Sequence, residues 1–171
     1  MTASLVCDRA HLAHAEAITT VRVRAAIDLT HRFGHGHWSS CATERGVLQG
    51  LRLASHLSRV LVARDSGRVL GTLRIATRKP WAIDRSRFVD VPRAIYLTDM
   101  AVDPAVQSHG IGRALLAEAE AEVRQWPGQA IRLDAYDAPA GAGDFYRKCG
   151  FREVGRAVYR GVPLVYFERL L

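Results

Sequence analysis

Leu97-Thr98-Asp99-Met100-Ala101-Val102-Asp103-Pro104-Ala105-Val106-Gln107-Ser108-His109-Gly110-Ile111-Gly112-Arg113 changes its pattern halfway along. The first part closes a strand, Ala94 to Val102, that Asp103-Pro104 stops. After it, Ile111, Leu115, Ala119 and Val123 fall on one face of an amphipathic helix from Gly110 to about Gln125, closed by Pro127-Gly128. Gly110 and Gly112 therefore sit where a helix begins. A helix start leaves its first N–H groups unpaired and carries partial positive charge, which suits a phosphate. Glycine lets the backbone approach such a group closely, and Arg113 adds a full charge at the rim. By itself a Gly-x-Gly here is equally well read as an ordinary strand–helix turn. The dinucleotide fingerprint wants a third glycine where Leu115 stands, and the nucleotide-triphosphate loop wants Gly-Lys-Ser/Thr, so both common phosphate loops are disfavoured.

Outward from this segment, Ser4 to Cys7 is a short first strand. Ala10 to about Phe33 is helical on the spacing of Leu12, Ala15, Ile18, Val23, Ala26 and Ile27, ending at Gly34. Thr43 to Leu53 is a second helix. Val60 to Ala63 and Val69 to Thr77 form a hairpin around Asp65-Ser66-Gly67, and Lys79 to Pro92 is a long loop. Downstream, Ile131 to Tyr136 is a strand and Ala140 to Lys148 a short helix ended by Gly150. Phe151 to Tyr159 and Pro163 to Leu170 are the last strands, turning at Gly161. Hairpins followed by alternating strands and helices predict a mixed α/β sheet.

The length of 171 residues suits one domain, and 49% hydrophobic with 24% charged residues describes a globular chain. No apolar run is long enough to span a bilayer, no secretory signal is read at the N-terminus, and a cytoplasmic location is expected. Cys7, Cys41 and Cys149 are too few and too scattered for a disulfide framework. The net charge of +7 is spread along the chain with no basic stripe or aromatic interleaving, so a small polyanionic ligand is expected in preference to nucleic acid.

The run Leu97 to Pro104 followed by Gln107-x-x-Gly110-x-Gly112 resembles the acetyl-CoA motif of the GNAT superfamily of N-acetyltransferases. Phe145-Tyr146-Arg147-Lys148-Cys149-Gly150-Phe151 resembles that family's second signature, a tyrosine four residues before Gly-Phe. The likeness is good over about residues 58–171 and looser before them. It implies a single α/β (α+β) domain over 1–171, with an N-terminal strand and acceptor-side helices in 1–57 and a CoA-binding core in 58–171. Its central sheet would be twisted, mixed and mostly antiparallel, of about six to seven strands with helices on both faces. It implies acetyl-CoA as co-substrate, an amine acceptor, and no metal, membrane or nucleic-acid partner, and leaves a homodimer open.

By the same resemblance, the backbone of Met100, Ala101 and Val102 binds the pantetheine arm, with the Met100 N–H polarising the thioester carbonyl. Gln107, Ser108, His109, Gly110, Ile111, Gly112 and Arg113 wrap the pyrophosphate, mainly through backbone N–H groups. Tyr146 is the candidate general acid to the CoA thiolate, since a phenol near pKa ~10 keeps its proton at neutral pH. Its plainer reading is a packing residue with a bonded hydroxyl. Asp99 is the candidate base, and a carboxylate that holds strand geometry is nearly as good a reading. Asp134 and Asp137 are weaker candidates, and Tyr96 stands where some members have glutamate. Pro139 departs from the family at a position where many members use an asparagine to contact the cofactor.

The segment His31 to Cys41 carries Gly34, His35, Gly36, His37 and Trp38 where the family builds its acceptor pocket. A His-x-His metal site is weighed and set below a glycine-punctuated loop in which His35, His37 and Trp38 line or cover the acceptor site. Trp81, in the second long loop, faces either that pocket or the core. The competing classes are an acyl-CoA-binding regulatory module without catalysis and a basic nucleic-acid-binding protein.

Overall fold

The computed structural model describes residues 5–53 and 56–171. Its seven strands are β1 (Val6–Arg9), β2 (Ser58–Asp65), β3 (Arg68–Ala76), β4 (Ala94–Val102), β5 (Ala130–Tyr136), β6 (Arg152–Tyr159) and β7 (Val162–Leu170). The helices are α1 (Ala15–Phe33), α2 (Glu44–Arg52), α3 (Ile111–Gln125) and α4 (Gly143–Lys148). The strands form one mixed sheet in the order β1-β2-β3-β4-β5-β7-β6, in which β4 and β5 run parallel. The chain packs as two compact units, one of residues 1–75 with 99–119 and the other of 76–98 with 120–171.

In the first unit, β1 pairs antiparallel with β2 from Val6↔Arg64 to Arg9↔Leu61. The strand expected over Ser4 to Cys7 thus begins later, and Ser4 lies outside the described residues. Ser66 (φ 49°) and Gly67 (φ 81°) give the β2–β3 hairpin a turn with both central residues left-handed, which matches the strands' twist. Ala15, Ile18 and Val21 of α1 and Val47 and Leu51 of α2 bury their side chains with Val62 and Val69. Thr43 caps α2, its Oγ1 accepting from the Gly46 N–H at 3.2 Å. Two of the expected stripe positions in the first helix differ: Leu12 and Ile27 are exposed, and Val21 fills the core instead. Leu12 belongs to a separate one-turn helix, Leu12–His14, so it precedes the helical face. Gly34 (φ 77°) ends α1 in the conformation a Cβ disfavours.

In the second unit, β5 pairs parallel with β4 from Ala94↔Ala130 to Tyr96↔Arg132, and antiparallel with β7 from Ala130↔Leu170 to Tyr136↔Leu164. Parallel partners need a crossover, which α3 supplies. Its Ile111, Leu115, Ala119 and Val123 are all buried, as their spacing predicts. The loop between β3 and β4 is ordered by burial: Ile83 and Phe88 pack with Tyr96, Leu164 and Tyr166, and the Tyr166 hydroxyl donates to Ala82 O at 2.5 Å. The short helix expected from Ala140 starts at Gly143, because the Gly141 N–H first closes a turn onto Ala138 O. A Cβ at Gly141 would lie 1.9 Å from Tyr136 O, so this turn accepts only glycine.

Candidate active site

The first unit carries the end of β4 from Asp99, the loop after it and the first part of α3 to Ala119. Within β4, Asp99 has φ 56°, a left-handed residue in an otherwise extended strand. Such a residue bends a strand locally and turns its backbone groups away from regular pairing. Aspartate tolerates this conformation better than most residues. Asp99 Oδ1 accepts from Arg22 Nη2 of α1 at 2.8 Å, and both side chains keep about a third of their surface exposed, at 38% and 30%. Met100, next in the strand, is half-buried.

Asp103 anchors the loop that follows. Its carboxylate is buried and accepts from Ala105 N–H (3.1 Å), Arg68 Nη2 (2.7 Å) and Arg24 Nη1 (3.0 Å), while its own N–H reaches Leu70 O at 2.8 Å. Burial pushes its pKa up, but the Ala105 N–H and the two guanidiniums outweigh that and hold it below the usual carboxylate range. Beyond this anchor, Ser108 (φ 67°) and Gly110 (φ 81°) adopt left-handed conformations, and Gln107, Ser108, His109 and Gly110 are exposed. His109 Nδ1 donates to Gln107 O at 2.8 Å, so the ring braces the loop. The Ala114 N–H closes the first helical bond to Gly110 O at 3.0 Å. The N–H groups of Ile111, Gly112 and Arg113 precede that bond and have no intrahelical acceptor. Space is open where a Cβ would sit on Gly110. An exposed helix start with left-handed residues before it and Arg113 beside it fits a diphosphate by charge and by access.

That helix start is held close to the sheet by a glycine the sequence reading passes over. A Cβ on Gly71 of β3 would meet Leu115 Cδ1 at 3.0 Å, Ile111 Cγ2 at 3.1 Å and Ala101 O at 3.2 Å. The first unit also contains a cavity of about 60 Å³ lined by Ile18, Arg22, Val47, Leu51, Arg74 and Asp99, among others. Arg22, Arg24, Arg68, Arg74 and the carboxylate role of Asp103 were not legible locally. Their only sequence signal is an excess of arginine with no stripe.

The second unit carries Tyr146 on α4, whose ring is buried edge-on to Phe145 and Phe151 and tilted to Phe167. Burial, then the nearby Asp134 carboxylate and Cys149, push the phenol's pKa well up, so it stays protonated. Burial also raises Asp134 and Tyr136. Asp137 is engaged by Arg156 Nη1 at 3.1 Å to both oxygens, and Tyr96 is a core residue. Trp81 is 80% exposed.

In the His31–Cys41 segment, His31, His35, Ser39 and Cys41 line an open pocket of about 340 Å³ with Ala26, Ile27 and Thr30. His37 and Trp38 lie in a one-turn helix, His37–Ser39. The Trp38 indole folds back over its own loop: Nε1 donates to Gly34 O at 2.9 Å, and a Cβ on Gly36 would lie 2.5 Å from the ring.

A family model for the acetyltransferase (GNAT) domain matches residues 56–153, more than half of the chain, and the protein belongs to that family. It is thus a GNAT-type acetyltransferase. No curated protein matches. Among solved structures, an N-acetyltransferase from Staphylococcus aureus Mu50 is similar at TM-score 0.73 and 17% identity, covering 98% of each chain. A putative acetyltransferase, yncA, from Salmonella typhimurium, determined with its cofactor acetyl-CoA, is similar at 0.72 and 20%, covering 98% of this chain and 94% of that one. A ribosomal-protein-alanine N-acetyltransferase from Brucella melitensis is similar at 0.72 and 22%, covering 97% and 99%. At these identities the likeness is one of fold.

Proposed function

We propose that the protein transfers the acetyl group of acetyl-CoA to a primary amine by direct attack. The observation that carries this is the α3 start: an exposed loop anchored by Asp103, left-handed at Ser108 and Gly110, with the Ile111 to Arg113 N–H groups preceding the first helical bond. The Salmonella structure of the same fold holds acetyl-CoA, which supports that ligand here.

In this reading the Met100 N–H donates to the thioester oxygen and stabilises the charge that grows there. The left-handed Asp99 just before it is what reorients that stretch of strand. The amine's lone pair forms the C–N bond, the C–S bond breaks, and Tyr146 gives its proton to the departing thiolate. Freeing a lysine-like amine at pH 7 costs roughly 4.6 kcal/mol, and Asp99 takes that proton directly or through water. Arg22 fixes the Asp99 carboxylate through one oxygen.

Calorimetric titration with acetyl-CoA, followed by an amine panel scored by thiol release, tests the proposal. Binding with amine-dependent thiol release is expected. No binding at millimolar acetyl-CoA overturns the cofactor, and binding with no acceptor-dependent release leaves an acyl-CoA-binding regulatory module in its place.

A further inference from the structure

The cavity beside Asp99 has a charge composition that discriminates among amines. Its polar lining consists chiefly of two guanidiniums, Arg22 and Arg74, and one carboxylate, Asp99. Arg22 is already paired with Asp99 Oδ1. Arg74 is the unmatched charge: its Nε is buried and has no hydrogen-bond partner among the described residues. A buried guanidinium N–H without a partner costs free energy unless a ligand supplies the acceptor. Ile18, Val47, Leu51, Val60 and Leu73 complete an apolar wall. Thr72 adds no free donor, because its hydroxyl already reaches Leu61 O at 3.0 Å.

We infer that the acceptor is a zwitterion, a free amino acid or close analogue, whose carboxylate pairs with Arg74 and whose amine lies at Asp99. The inference rests on the acetyltransferase reading above. A polyamine or lysine side chain would bring only positive charge to a site that already carries one cation in excess. An amino acid supplies the missing anion and lets its amine approach the exposed Asp99 carboxylate, next to Met100. The void of about 60 Å³ has room for a few waters, at about 10–15 Å³ each, and so for the carboxylate head of a small acceptor. Gly46 and Gly50, one helical turn apart on α2, line the same cavity, and a Cβ on Gly50 would meet nothing within 4 Å.

The test offers the acetyl-CoA-loaded protein two pools, the common amino acids and their decarboxylated amines with spermidine and amino-acid amides, and reads acetylated products by mass spectrometry. For the best amino acid, kcat/KM is expected to exceed that of its decarboxylated counterpart by roughly 10- to 100-fold, the worth of a charge-assisted bond. Arg74→Gln is expected to raise KM for the amino acid far more than it lowers kcat and to shrink that preference to a few-fold. Gly50→Leu, which improves the helix while narrowing the cavity, is expected to raise the same KM without lowering Tm. Equal or better turnover of the amines or amides overturns the inference and leaves the acetyltransferase reading standing. Acetyl-CoA binding with no product from either pool overturns the inference together with catalysis, and absent binding overturns the cofactor as well.

Discussion

Arg68 Nη2 donates to Asp103 Oδ2 at 2.7 Å, joining the first residue of β3 to the residue at which β4 gives way to the loop before α3. Arg24 reaches the same oxygen from α1. One buried carboxylate therefore sets where the loop begins, and the loop's exposed glycine end has a fixed origin.

Asp103→Asn is expected to lower stability by about 1–3 kcal/mol, because the Arg24 and Arg68 guanidiniums lose the carboxylate charge they pair with. Calorimetric melting checks this, and acetyl-CoA affinity is expected to fall in the same variant. The folded-state pKa of Asp103 is depressed, so its contribution is full above the unfolded carboxylate value of about 3.9. It is lost as pH falls below that value and through the lower folded pKa. The gap in Tm between wild type and Asp103→Asn should therefore close only below about pH 4.

Tyr146→Phe is expected to reduce kcat by about 10²-fold with acetyl-CoA affinity nearly intact. Burial holds the phenol protonated, so no alkaline loss of activity from its ionisation should appear below about pH 10. A Phe variant of undiminished kcat would remove Tyr146 from the acid role, and a descending limb below that pH which vanishes in the Phe variant would show that burial does not hold the phenol protonated.

Gly71→Ala is expected to weaken acetyl-CoA binding and to cost about 1–3 kcal/mol, since its methyl would crowd Leu115, Ile111 and Ala101 O at 3.0–3.2 Å and the helix start would have to shift to admit it. Gly110→Ala meets open space and differs in cause: its φ of 81° alone costs about 1–2 kcal/mol. Titration calorimetry on both variants separates displacement of the helix start from strain within the loop.

Glu168→Gln is expected to be the most destabilising of these changes, at about 3–5 kcal/mol. Glu168 Oε1 accepts from Arg132 Nε at 3.1 Å with both side chains buried, and Oε2 accepts from the Val89 N–H at 3.3 Å. Arg132 also donates to Val89 O and lies 4.8 Å from the Phe88 ring centroid. Removing the carboxylate's charge strands the guanidinium and releases the loop between β3 and β4. Denaturant melts should show a smaller loss for the double variant Arg132→Leu with Glu168→Met than for Glu168→Gln.

The sequence alone determined the parts of this protein whose causes are local. Helical spacing placed α3 and its buried face, Asp65-Ser66-Gly67 placed the hairpin, and Asp103-Pro104 with Gly110 marked the strand–loop–helix. These readings hold because periodicity, turn chemistry and glycine's freedom act within a few residues. The exposure of Ile27 departs from the helical spacing because the packing of α1 against α2 depends on residues far apart in the chain, whereas the later start of α4 at Gly143 comes from a local turn in which Gly141 folds onto Tyr136 and Ala138. Tertiary structure alone decided the electrostatics around the site. Asp99 meets Arg22 across 77 positions, and Asp103 meets Arg24 across 79 and Arg68 across 35. Arg74 acquires its meaning only as a buried donor in a cavity. An arginine's role depends on which carboxylate or void it faces after folding, and no pattern along the chain encodes that.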